Sequence, residues 1–186
     1  MSAQLRPAVG ADDHAQGPAD APVTLVEYGD YECPHCGRAA PIVQRVQQRF
    51  GERLRFVFRN FPLSEVHPHA EHAAEAAESG GAHGREPGFW AMHDAIYAHQ
   101  QDGPRALGDA RLAEYAGEAG LDGRVVLEDI RAERFADRIQ RDFMSGVRSG
   151  VNGTPTFFIN GFRFDGSWDE AGLVAAIEEE LSAASR

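Results

Sequence analysis

The stretch Val23-Thr24-Leu25-Val26-Glu27-Tyr28-Gly29-Asp30-Tyr31-Glu32-Cys33-Pro34-His35-Cys36-Gly37 decides how this chain is read. From Val23 to Tyr28 a β-prone run is bounded by Pro22 and Gly29, the mark of a short buried strand. The two cysteines follow at once. Beyond Pro34 the residues to about Phe50 carry a helical pattern with Ile42, Val43, Val46 and Phe50 on one side, and Pro41 within it is expected to impose a kink. Leu54 to Phe61 reads as a second strand, Leu54, Phe56 and Phe58 alternating with Arg55, Val57 and Arg59. Strand, helix, strand is the unit that builds a parallel pair.

Upstream, residues 1–22 are polar, hold Pro and Gly and lack periodicity, which predicts a mobile arm before a domain that begins near Val23. Downstream, residues 67–149 show no convincing strand and divide into helices. Pro68 to Ser79 is Ala-rich, and Pro87 to His99 sets Phe89, Trp90, Met92, Ile96 and Tyr97 on a wide apolar stripe. Asp109 and Asp122 are candidate N-caps for two more, and Ile139, Phe143 and Val147 mark another. The chain then returns to strands, since Thr156–Ile159 and Phe162–Asp165 flank Asn160-Gly161, a strong hairpin signal. A closing helix is predicted from Ser167, with Ser167 and Glu170 as a capping box and Leu173, Ile177 and Leu181 as its buried stripe.

A chain of 186 residues, 42% hydrophobic and 25% charged, can bury the core of one ordinary domain. It needs no small-protein staple, and the two residues between Cys33 and Cys36 make too short a loop for a cross-link to stabilise much of the fold. The cysteines therefore point to chemistry. A formal net charge of −11 argues against binding nucleic acid or an acidic membrane surface. All 18 of the Lys and Arg positions are arginine. Residues 1–22 hold no apolar stretch of the length a secretory signal needs, so a cytoplasmic placement is expected, although a chain that had lost its leader and works in the periplasm would read the same. No run approaches the roughly 20 apolar residues of a membrane span.

Disulfide exchange runs by thiolate attack on sulfur, through a mixed disulfide that a second thiol resolves. Cys-x-x-Cys supplies both thiols. Where a strand ends and a helix begins, the first cysteine meets the unpaired amides of the opening turn, whose partial positive charge stabilises a thiolate. Cys33 is thus expected to attack and Cys36 to resolve. Pro34 suits the first helical position, and an imidazole at His35 would lower the Cys33 pKa further. The same two cysteines could instead be half of a zinc or copper site without turnover, for which His67, His69 and His72 are the candidate other half. His14, His83, His93 and His99 have no partner readable from sequence. An acid such as Glu27 within an apolar strand must be paired, protonated or at an edge.

The segment Leu25 to Gly37 resembles the active-site segment of the DsbA-like thiol-disulfide oxidoreductases. The resemblance extends through Phe58-Arg59-Asn60-Phe61-Pro62-Leu63, His67-Pro68, Phe89-Trp90-Ala91-Met92-His93 and Gly150-Val151-Asn152-Gly153-Thr154-Pro155-Thr156-Phe157-Phe158-Ile159-Asn160-Gly161, and covers about residues 22–182. It implies an α/β, thioredoxin-like three-layer fold with a central mixed sheet, built from 23–66 and 150–186, and an all-helical insertion over 67–149. It further implies a cis Pro155 against the cysteines, with the Thr154 backbone pairing with an incoming peptide, and a buried Glu27 that takes the proton of Cys36.

The leading expectation is therefore an enzyme exchanging disulfides with protein substrates, served by an unidentified redox partner and no cofactor. A second reading keeps the fold and takes a small thiol or disulfide as client. The direction of exchange stays open: the Pro34-His35 pair resembles that of the oxidases, whereas Thr154 resembles isomerase-type members and a cytoplasmic chain would meet reducing surroundings.

Overall fold

Among the residues described by the computed structural model, 3–184, five strands form one mixed sheet in the spatial order β1-β3-β2-β4-β5. They are β1 (His14–Gln16), β2 (Val23–Gly29), β3 (Leu54–Asn60), β4 (Thr156–Ile159) and β5 (Phe162–Phe164). Residues 1, 2, 185 and 186, the outer ends of the expected arm and closing segment, lie outside the described residues. β2 and β3 run parallel, Val23 opposite Leu54 and Gly29 opposite Asn60, joined by α1 (Pro34–Phe50) and a 3-10 turn at Gly51–Arg53. β4 lies antiparallel to β2 and β5 antiparallel to β4. The β4–β5 turn uses left-handed backbone at both Asn160 (φ 48°) and Gly161 (φ 84°), which matches the strand twist.

Alternation along the strands gives the sheet two buried faces. Leu25, Phe56, Phe58, Phe157 and Ile159 pack with Ala39, Val43 and Val46 of α1 and with Leu173 and Ile177 of α6 (Glu170–Ala184). Val26, Tyr28, Val57 and Phe158 point the other way. Between β3 and β4 come α2 (Ala70–His99), α3 (Asp109–Glu118), α4 (Gly123–Arg131) and α5 (Ala136–Arg148). α2 is two helices joined where Arg85 leaves helical conformation, two residues before Pro87. α1 runs unbroken across Pro41, which sits on its exposed side.

The mobile arm expected over 1–22 is corrected over 3–22. Those residues cover the sheet's second face: Leu5 is buried there with Val9 and Ala15 against it, and β1 pairs antiparallel with β3. Arg59, 3% exposed in its side chain, holds the segment by a fork to Asp13 (2.7 and 2.9 Å) and by donating to the Pro7 carbonyl. The physical reason is that Val26, Val57 and Phe158 need a cover, and an irregular segment with sparse apolar residues supplies it. Two caps also differ from expectation. Gly108 rather than Asp109 precedes α3, leaving the Asp109 carboxylate to His72, and the amide of Gly172 is capped by Asp169 Oδ1 (2.7 Å) rather than by Ser167. Asp122 does cap α4, accepting from the Arg124 amide at 3.0 Å. No helix among the described residues is long and apolar enough to cross a membrane.

Candidate active site

Parallel β2 ends on the same side as the opening turn of α1, and this places Cys33 at the helix N-cap with extended backbone (φ −68°, ψ 121°) and Pro34 at the first helical position. The Cys33 amide donates to the Asp30 carbonyl (3.1 Å), fixing the loop, while Gly37 N–H returns to the Cys33 carbonyl (3.1 Å). Cys33 is 4% exposed, Cys36 is fully buried, and both are free thiols.

The two sulfurs divide one task between them. A hydrogen bond from the Cys36 thiol is the largest influence lowering the Cys33 pKa, to about 5, against the opposing pull of burial; the Thr154 side chain and the amides of Cys36 and His35 lower it further. Cys36 is pushed well above the ordinary thiol range, first by desolvation, then by donating its proton to Cys33 and by the charges of Glu27 and Cys33. Protonated Cys33 donates to the Thr154 carbonyl at 3.4 Å, and the Thr154 hydroxyl, buried without a partner in this state, is free to turn to the thiolate. The Thr154–Pro155 bond is cis.

His35 faces Cys33 with its backbone and turns its ring outward. The imidazole is exposed and its Nδ1 accepts from Arg38 (2.7 Å), whereas its backbone amide faces Cys33. Glu27 lies on the α1 side of the sheet, 2% exposed, with Oε1 lacking a hydrogen-bond partner. Desolvation, followed by the charge of Cys33, raises its carboxyl to about 8. It also lines a cleft of about 300 Å³ with Gln44, Gln47, His93 and Asp94, which opens to solvent beside α1.

Several site residues carry no sequence signal. Asp30, 1% exposed, gives its amide to Cys36 Sγ (3.4 Å) and its carboxylate to the amides of Glu32 and Leu63 and to His67 Nδ1. Gln100, at the end of α2, donates to the carbonyls of Tyr31 (2.7 Å) and Cys33 (2.9 Å), and a Cβ at Gly37 would stand 2.0 Å from its Oε1. His67 and His72, candidates for a zinc site, are bonded to Asp30 and Asp109, and among the described residues no three His, Cys, Asp or Glu side chains are grouped to hold a metal.

A sequence model of the family described as Thioredoxin matches residues 10–179. BdbD from Bacillus subtilis, in its oxidised crystal structure, superposes with a TM-score of 0.86 at 25% identity over 98% of each chain. Wolbachia pipientis alpha-DsbA1 superposes at 0.80 with 18% identity, covering 95% of this chain and 94% of that one. The catalytic domain of Proteus mirabilis ScsC does so at 0.77 with 21% identity, covering 96% and 93%. In sequence, a Salinispora arenicola protein named Na(+)/H(+) antiporter NhaA 1 is 46% identical over 165 residues, 89% of this chain and 24% of that protein. A Mycobacterium protein of the same name is 41% identical over 176 residues, 94% of this chain and 28% of its own. The chain thus spans about a quarter of the length of the curated relatives it matches. A family match over most of the chain, a mixed sheet of the same form and a Cys33–Cys36 pair at the head of α1 lead to one conclusion: the chain belongs to the thioredoxin family, in the DsbA-like form of its fold.

Proposed function

We propose that the protein is a thiol-disulfide oxidoreductase that exchanges disulfides with protein substrates through Cys33 and Cys36. The observation that carries this is geometric: Cys33 stands at the N-cap of α1 with Cys36 in the same opening turn, and its Sγ lies 3.4 Å from the Thr154 carbonyl at the cis Thr154–Pro155 bond, a setting that draws Cys33 down to about 5 and pushes Cys36 up. In the reducing direction the Cys33 thiolate attacks one sulfur of a client disulfide, a Cys33–client bond forms, and the other client sulfur leaves as a thiolate. Cys36 then loses its proton to the Glu27 carboxylate and attacks Cys33 Sγ. The Cys33–Cys36 bond forms, and the first client sulfur leaves as a thiolate in turn. Forming the mixed disulfide removes the Cys33 charge that raises Glu27, so the base becomes easier to ionise when it is needed. That Glu27 lines the cleft beside α1 supports an exchange route between its carboxyl and water.

The reverse sequence donates the disulfide, and a stabilised Cys33 thiolate favours that direction because it favours the dithiol product. The cis bond at Pro155 and the closeness of Thr154 to Cys33 support these residues as the place where a client backbone pairs. Residues 23–66 with 150–186 then form the catalytic unit and 67–149 a helical insertion. Antiport is said of the longer relatives as whole proteins; what this chain shares with them is a quarter of their length. Neither the fold nor the relatives carry the cytoplasmic placement expected from residues 1–22.

The test is catalysed reduction of insulin by dithiothreitol. The protein speeds precipitation, Cys33→Ser abolishes the effect, and Cys36→Ser accumulates mixed disulfides through Cys33. Full turnover by Cys33→Ser would refute the assignment.

A further inference from the structure

A cavity of about 740 Å³ lies between the loop after β3, the start of α2 and α5. Its walls include the apolar side chains of Leu63, Val66 and Phe143, and Val66 stands 69% exposed at the edge. Its rim carries Glu65, Glu133 and Asp137, all exposed, and none of the three is paired with a cation among the described residues.

This cavity is built on the same residue as the cysteine loop. The Asp30 carboxylate accepts from the Leu63 amide (2.8 Å) and from His67 Nδ1 (2.7 Å), holding the cavity wall. The Asp30 amide and carbonyl meet Cys36 Sγ and the Cys33 amide. Asp30 thus ties the wall of the cavity directly to the loop that carries both sulfurs.

We propose that the cavity is a docking site for the client chain, and that it takes an apolar side chain flanked by arginine or lysine. The inference rests on the reading of Cys33 and Cys36 as the exchanging pair. The apolar walls gain by covering Val66 and Leu63, and the unpaired rim carboxylates complement a cation next to the buried side chain. A second copy of this chain is the poorer occupant, because a net charge of −11 brings like charges together at an acidic rim.

The experiment compares two disulfide-linked peptides identical except that a phenylalanine near the cysteine is flanked by arginines in one and by glutamates in the other. At low salt kcat/KM should favour the basic peptide by about tenfold, chiefly through KM, and the preference should shrink as salt screens it. Glu65→Gln with Glu133→Gln should cut the preference to about threefold or less. Asp20→Asn with Glu179→Gln, which removes the same charge from exposed sites elsewhere, should leave it intact. Equal kcat/KM for the two peptides, a preference untouched by the rim variants, or a dimer that occludes the cavity at assay concentration would overturn the proposal. If neither peptide turns over, the reading of the cysteine pair fails instead.

Discussion

Cys33 Sγ lies 3.4 Å from the carbonyl oxygen of Thr154, a residue 121 positions along the chain. The closure of β4 against β2 brings them together, with Tyr28 opposite Thr156. The attacking sulfur thus has helix amides and the Cys36 thiol on one side and the Thr154 hydroxyl on the other, and its charge is set by all three.

Cys36→Ala removes the largest of the influences that lower Cys33, so the thiolate midpoint, near 5 in the wild type, should rise measurably in ultraviolet titration. The same charge is a stability term. A group whose folded pKa is depressed stabilises the fold above its unfolded value and loses that contribution as pH falls through the folded one. Between pH 7 and pH 5 the reduced wild type should lose about 2 kcal/mol relative to Cys33→Ser in urea unfolding.

Glu27 has the opposite sign. Its carboxyl is raised from 4.5 to about 8, so burial costs nothing below the unfolded value and a growing amount as pH rises toward the folded one. Glu27→Gln should stabilise the reduced protein by about 3 kcal/mol at pH 7 and by almost nothing at pH 4. It should also slow resolution of the mixed disulfide by about a hundredfold. Stopped-flow resolution rates and denaturant midpoints at the two pH values check both halves.

Asp13 neutralises Arg59 beneath the covering N-terminal segment. Asp13→Ala leaves a guanidinium buried without its carboxylate and should destabilise the fold by about 3 kcal/mol in chemical denaturation. An effect below about 0.5 kcal/mol, the range of an exposed pair, would mean that the segment does not bury Arg59.

Gly37 and Gln100 should be coupled. Gly37→Ala drives a methyl into the Gln100 amide that holds the Tyr31 and Cys33 carbonyls, so it should destabilise the protein and broaden the Cys33 titration. Gln100→Ala removes the three side-chain atoms nearest that methyl, and a double-mutant cycle should show the two losses to be less than additive.

What the sequence reveals here is what local pattern controls. β2, α1 and β3 follow from periodicity, the β4–β5 hairpin from Asn160-Gly161, and the suspicion about Glu27 from an acid set in an apolar strand. The cover over the second face was illegible because Leu5, Val9 and Ala15 have no regular spacing and their anchor, Arg59, lies 46 residues beyond Asp13. Asp30 and Gln100 were missed because packing sets their partners: the loop after β3 brings Leu63 and His67 to Asp30, and the end of α2 brings Gln100 to the cysteine loop. The ring of His35 meets Arg38, three residues on, a partner that the Cys-x-x-Cys pattern does not signal. His14 and His83 find carboxylates that only the packed insertion brings near, His99 bonds both Asp102, three residues on, and Glu118 of α3, and His93 finds the Tyr31 hydroxyl.

The most direct test of a thiolate held by the opening turn of α1 is the equilibrium potential of the Cys33–Cys36 pair in defined glutathione buffers. Stabilising the dithiol form predicts a potential less negative than about −200 mV. A value at or below about −270 mV, where the dithiol is a good reductant, would contradict it.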